Sequence, residues 1–377
     1  MELLRKWDCN VPTLRFPNYN GEWQKTVMGK VCSFRKGYGI AKDDLSSDGT
    51  PCILYGELYT TYKTAIAKTI KSKTSIQSKS LVYSQKDDVI IPCSGETAED
   101  IATSICVPYD GVLLGGDLTI VHSDLDGAFL SNQINSVRKY DIARIAQGKS
   151  IVHLQADELK KIFIFYPSIQ EQRKISAFID KIDERIEIQN KIISKYETLI
   201  KGLCDMIFRH NKSVSLSDLV KCKTSALQEN TVSTCHRGEY KVLGASGAIA
   251  AIDTYQFEES GILVLKDGSK AGKIQFAQGK YSVVGTSVVL IPNEACDARY
   301  LYFAMSSIDF EKYKVGSGIP HIYFKDYSNE RIYYPDKALR KKITKTLDFY
   351  ESMVEIERKM LSAMQKQKAF LLQSMFI

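Results

Sequence analysis

At 377 residues, with 44% hydrophobic and 25% charged residues, the chain is long enough for two or three compact domains, and its composition excludes a disordered or fibrous protein. No apolar run reaches the roughly 18 residues that a bilayer span needs, and Met1–Asn10 has no signal-peptide stretch, so no membrane partner and a cytoplasmic location are expected. The net charge of +7 favours a polyanionic partner without identifying one, and nine scattered cysteines with no Cys-x-x-Cys point to reduced thiols.

Residues 1–167 read as a mixed α/β lobe. Val89-Ile-Ile91 and Leu118-Thr-Ile-Val121 are apolar runs bounded by Asp, Gly or Pro, as short strands are. Ahead of them, no acidic residue falls between Leu58 and Lys86, while Tyr62, Lys63, Lys68, Lys71, Lys73 and Lys79 lie among the hydroxyls of Thr60, Thr64, Ser72 and Thr74. Cations without neighbouring carboxylates suit phosphate contacts, which makes these candidate DNA-binding residues; the plainer alternative is a solvated surface.

Residues 168–209 read as one long helix. Ser168-Ile-Gln-Glu171 has the form of a capping box, and Ile175, Ile179, Ile182, Ile186, Ile193, Tyr196 and Ile200 follow at alternating spacings of about four and three, the seam of a coiled coil with Gln189 as a polar member. Gly202 weakens its last turns by up to about 1 kcal/mol relative to alanine.

A second mixed lobe occupies residues 210–335, with strands expected at Gly261-Ile-Leu-Val-Leu265 and Val288-Val-Leu-Ile291. Lys266, Lys270 and Lys273 surround the turns Asp267-Gly-Ser269 and Ala271-Gly272 and form a second candidate DNA-binding group. Residues 336–377 repeat the long helix, with seam positions Ile343, Leu347, Tyr350, Val354 and Leu361 and polar interruptions at Glu357 and Lys368. Helices of this size run about 60 Å at ~1.5 Å per residue. The ordinary alternative, an amphipathic helix packed only on its own lobe, fits the length and the 3.5-residue period less well.

The two halves are a tandem duplication. At a fixed offset of 168 residues Gly148 matches Gly316, Ile151 matches Ile319, His153 matches His321, Tyr166-Pro167 matches Tyr334-Pro335, and the register runs on through Lys174/Lys342, Asp180/Asp348, Ile188/Ile356 and Phe208/Phe376. Upstream the echo needs small insertions, as in Asp126-Gly-Ala-Phe-Leu130 against Asp297-Ala-Arg-Tyr-Leu301. A repeat that holds in one part and drifts in the other suggests a constant scaffold carrying two lobes of different specificity.

Catalytic motifs are missing from the sequence. Gly148-Lys149-Ser150 resembles the end of a P-loop, but Ala143 stands where the first glycine belongs. No two prolines are adjacent, so the motif with which amino-methyltransferases hold a flipped base is absent. Neither Glu158-x-Lys160 nor Glu239-x-Lys241 has the preceding Pro-Asp of a nuclease metal site. Cys222, Cys235 and His236 lack zinc-site spacing, and His153 and His321 read as structural histidines, so no metal and no catalytic residue is expected.

Leu14-Arg-Phe-Pro17 with Gly21-Glu-Trp23, Ile53-Leu-Tyr-Gly56, Ile151-Val-His153 leading to Tyr166-Pro167, and Gln170-Glu-Gln-Arg-Lys-Ile175 at the head of a long helix resemble the specificity subunits of type I restriction-modification systems over essentially the whole chain. The second copy departs from the pattern, with Leu339-Arg340 in place of Glu171-Gln172. The resemblance implies an α+β fold: two mixed α/β target recognition domains separated by two long helices that form an antiparallel coiled coil, with pseudo-twofold internal symmetry. It implies a non-catalytic subunit that binds an asymmetric bipartite site in double-stranded DNA. It also implies partnership with two methyltransferase subunits, which methylate adenine with S-adenosylmethionine, and with restriction and translocase subunits that use ATP and magnesium; none of these cofactors is expected in this chain. The alternative is an adaptor whose duplicated lobes bind something other than DNA.

Overall fold

The computed structural model describes residues 10–78, 80–148, 151–209, 213–232, 237–294, 297–316 and 318–377. Lys79, and Cys235 and His236 of the weak metal reading, lie outside them. Two compact units emerge, one from the chain up to Gln189 together with Met360–Ile377, the other from Asn190–Lys359. Each contains one lobe and parts of both long helices.

The first lobe is built on a four-stranded antiparallel sheet of Cys32–Lys36 (β1), Asp88–Pro92 (β2), Ile105–Val107 (β3) and Leu118–Ser123 (β4), in the order β1-β4-β2-β3. Strand β2 is buried throughout because the period of two sends Val89 and Ile91 to one apolar cluster and Ile90 to another. Helix Gly127–Asn135 (α1) closes one face with Leu130 and Ile134. Its N-cap Asp126 accepts from the Phe129 amide at 2.8 Å, and Gly127 has no room for a side chain: a Cβ there would sit 2.2 Å from the Asp87 carbonyl oxygen.

The second lobe repeats this plan. Val220–Thr224 (β5), Gly261–Leu265 (β6), Ile274–Ala277 (β7) and Ser287–Pro292 (β8) form an antiparallel sheet in the order β5-β8-β6-β7, and helix Ala298–Met305 (α3) packs on it. What each sheet carries differs. The first lobe adds a four-stranded sheet of short segments from Leu45–Ser46, Thr50–Ile53, Ser72–Thr74 and Leu113–Leu114; the second adds a three-stranded one from Tyr240–Gly244, Gly247–Ile252 and Tyr281–Val283.

Ile169–Phe208 and Lys337–Met375 are single helices of 40 and 39 residues; in chain order the first is α2 and the second α4. Within each unit their segments run antiparallel. In the second unit Glu197 meets Arg358, while Cys204 and Phe208 share a cluster with Ile343 and Leu347. In the first, Asp183 meets Lys368, and Ile175 and Ile179 share a cluster with Leu371, Met375, Phe376 and the lobe residues Trp23, Phe129 and Phe165. Along the expected seam Ile175, Ile179, Ile193, Ile343, Leu347 and Val354 are buried, and Ile182, Ile186, Tyr350 and Leu361 half-buried. Gln189, the polar member, is buried too.

The capping box forms by half. Ser168 Oγ accepts from the Glu171 amide at 3.4 Å, but the Glu171 carboxylate does not turn back to the helix start. It is buried against Arg15, with both oxygens 2.7 Å from the guanidinium, so the Leu14–Pro17 segment is pinned to the helix head.

Candidate nucleic-acid interface

The lysine-rich segment of the first lobe divides on folding. Lys63, Lys71 and Lys73 are exposed, Lys73 on the short strand Ser72–Thr74, and Lys71 and Lys73 carry no ion pair among the described residues. Lys68 is committed elsewhere: its Nζ donates to Asp180 at 2.7 Å and to Glu184 at 2.8 Å on α2. Tyr62 also has to be reassigned. Its ring lies in the core with Leu58, Ile90 and Leu114, its hydroxyl accepts from the Lys71 amide, and burial pushes its pKa up to about 12. The sequence showed an acid-free run but not which members face inward, because the run has no single period.

In the second lobe Lys270 and Lys273 are exposed and Lys266 is half-buried, 3.9 Å from Asp267. Among the described residues no group of histidine, cysteine and carboxylate side chains could hold a metal ion, and Cys222 is a half-buried thiol whose pKa burial raises. Lys160 and Lys161 pair with Asp157 and Glu158 three residues earlier on the lobe surface.

Several features escaped the sequence reading. Asp88, fully buried, accepts from Arg35 at 2.6 Å and pairs with His122 Nδ1 at 2.8 Å, so a carboxylate in the first sheet holds two half-exposed basic side chains in place. Each lobe also grips a scaffold aspartate at the same repeat position: Lys68 takes Asp180, and Arg299 of α3 takes Asp348. Arg299 also reaches Glu351 and lies 4.7 to 5.1 Å from the rings of Phe276, Tyr302 and Phe303. The match of Asp180 with Asp348 was visible in the repeat; the cations were not, since they come from unrelated parts of the two lobes.

Residues 20–198 and 209–365 each match the family model described as type I restriction modification DNA specificity domain. The chain belongs to this family. Its two matched segments are the two copies of the repeat, and their family role is DNA specificity rather than catalysis. Among curated relatives, the type I restriction enzyme MjaVIII specificity subunit of Methanocaldococcus jannaschii is 28% identical over 122 residues, covering 31% of this chain and 28% of that protein, so the match spans little more than a quarter of the relative's length. The crystal structure of a type I restriction-modification S subunit from M. genitalium superposes with a TM-score of 0.65 at 16% identity, covering 97% of this chain and 99% of the other. A structure from work on complex assembly and conformational transition of the type I system matches with a TM-score of 0.55 at 15% identity, covering 93% and 96%. At such identities the structures attest to the fold. No helix among the described residues of this specificity-family chain is long and apolar enough to cross a membrane.

Proposed function

We propose that this chain reads a double-stranded DNA site made of two unlike halves, one by each lobe, on behalf of a restriction-modification complex. The observation that carries this is the pairing of sameness and difference: two core sheets with one strand order, each in its own family-matched segment, bearing different additional sheets. Unlike surfaces on like frames read unlike sequences, and direct readout depends on the side chains those surfaces bring to base edges. Lys63, Lys71 and Lys73 in the first lobe and Lys270 and Lys273 in the second supply phosphate contacts and hence salt-dependent affinity. The residues of both long helices run through both units, so helix length is the quantity that sets the gap between half-sites, as the spacing of dimeric readers sets theirs.

In this reading two methyltransferase subunits bind the chain and methylate adenine with S-adenosylmethionine, restriction and translocase subunits bring ATP and magnesium, no cofactor is held here, and the complex works in the cytoplasm. The test is to co-express the chain with its methyltransferase in a methylation-free host and map modified adenines across the genome. A single asymmetric motif with two defined halves and a fixed gap is expected; an intact complex that adds no methylation refutes the reading. With the motif known, Lys71→Ala with Lys73→Ala lowers affinity evenly across sequences and reduces the salt slope by about one to two.

A further inference from the structure

Two histidines occupy the same place in the two lobes, and neither is a core residue. His153 exchanges backbone hydrogen bonds with Gln147 at 2.7 and 2.9 Å, and His321 does the same with Val315 at 2.8 and 2.9 Å, 168 residues on. Each partner precedes a glycine of positive φ, Gly148 at 137° and Gly316 at 101°. A Cβ on either would strike a carbonyl oxygen, that of Ile151 at 2.0 Å or of Ile319 at 2.7 Å, so each glycine lies against the chain in the same way. Across from it His153 pairs in the strand register with Ser94 and His321 with Asp267, each just before a glycine, Gly95 or Gly268.

The side chains repeat the pattern. His153 Nδ1 lies 3.3 Å from Ser94 Oγ and His321 Nδ1 lies 2.8 Å from Asp267 Oδ1, while neither Nε2 has a partner among the described residues. His153 is exposed, and the His321 side chain keeps 39% of its surface. Exposed contacts of this kind contribute at most about 1 kcal/mol, so holding the structure together does not account for a histidine fixed in both lobes by Nδ1 while Nε2 has no partner among the described residues. Ile151 and Ile319 stand exposed beside them at 59% and 63%.

We propose that His153 and His321 are the equivalent base-reading residues of the two lobes, each presenting Nε2 to a base edge. This rests on the DNA reading above. In the imidazole tautomer whose Nδ1–H donates to the Asp267 carboxylate, Nε2 offers a lone pair. That acceptor suits the exocyclic amino group of adenine or cytosine in the major groove. Ser94 can give or take a proton, so His153 presents either sense, and the two lobes differ in what they ask of a base at an equivalent position.

The test uses the complex with its methyltransferase subunits and duplexes carrying the wild-type motif or each single-base change. His321→Ala is expected to leave one half-site intact and relax one adenine or cytosine position in the other by roughly 10- to 100-fold in discrimination; His153→Ala should relax one position in the opposite half. Should either variant fail to give a folded complex, His321→Leu and His153→Leu, which keep side-chain bulk but offer no hydrogen-bonding group to a base, carry the same expectation. An unchanged motif in all of them overturns the proposal. So does an even loss of affinity for every sequence with a smaller salt slope, which would make the histidines phosphate contacts. If the wild-type complex itself yields no two-part motif, the DNA reading has failed before the histidines are reached.

Discussion

At the head of α2, Gln172 donates to the Pro167 carbonyl at 2.9 Å and accepts from the Asp126 amide at 2.9 Å; at the head of α4, the matching Arg340 donates to the Pro335 carbonyl at 2.7 Å and to both carboxylate oxygens of Asp297 at 3.0 Å. The joint between lobe and helix is therefore the same joint, closed once by a neutral amide and once by a buried ion pair. The rest follows from where the aspartate carboxylate is spent. Asp126 keeps its own for capping α1 and for Ser176 Oγ at 2.6 Å, whereas Asp297 gives its carboxylate to Arg340 and to the Tyr334 hydroxyl and leaves α3 without a side-chain cap. The departure of Leu339-Arg340 from the first copy thus preserves the contact by moving it from backbone to side chain.

The largest effect should come from breaking both helix pairings at once. Ile179 and Leu347 are matched by the repeat and fully buried, so Ile179→Asp with Leu347→Asp places an unpaired carboxylate in each unit's core at several kcal/mol apiece. Loss of the cooperative unfolding transition and of two-part methylation is expected; survival of a bipartite motif would mean the helices do not set the gap. Next, the two joints should respond unequally. Asp297→Ala leaves the buried Arg340 with only the Pro335 carbonyl and, at 3.9 Å, Glu294, and costs up to about 3–5 kcal/mol, whereas Asp126→Ala removes a cap and one hydroxyl contact and costs about 1–3 kcal/mol, both read from urea midpoints. Equal costs would show that the ion pair is no more than an exchange for the amide.

A smaller contrast lies in the scaffold clamps. Hydrogen bonds from Lys181 and then Lys68 hold the Glu184 carboxyl down to about 2, from an ordinary 4.5. A lowered value in the folded state means its contribution is present above the unfolded value and fades as pH falls through about 2. Lys68→Met should therefore lower the thermal midpoint slightly at pH 7, less so in 1 M salt, and the gap from wild type should shrink on acidification toward pH 2. A gap that does not shrink at all between pH 4 and about pH 2 would mean the loss did not come from the ion pair. Smallest is a gain. Gly202 is exposed inside α2 with nothing within 4 Å of an added Cβ, so Gly202→Ala should stabilise by up to about 1 kcal/mol in chemical unfolding.

Much of this molecule was determined by sequence alone. The β-branched runs became β2, β4, β6 and β8, and the apolar series became two helices with Ile179 and Leu347 at their buried seam, because period and propensity act over neighbouring residues. The duplication was equally legible, being a property of the string itself. What only the tertiary structure decided is which polar groups meet across the chain: that Glu171 serves Arg15 instead of its own helix start, that Lys68 is held by α2 while Lys71 and Lys73 stay in solvent, that Tyr62 turns inward, and that Leu371 and Met375 from the chain's end pack on Trp23 near its beginning. Tyr62 apart, these pairings join residues from 112 positions (Lys68 to Asp180) to 352 positions (Trp23 to Met375, 375 − 23) apart, and no local pattern records them, since a charged or aromatic side chain looks the same in sequence whether it faces water or a partner.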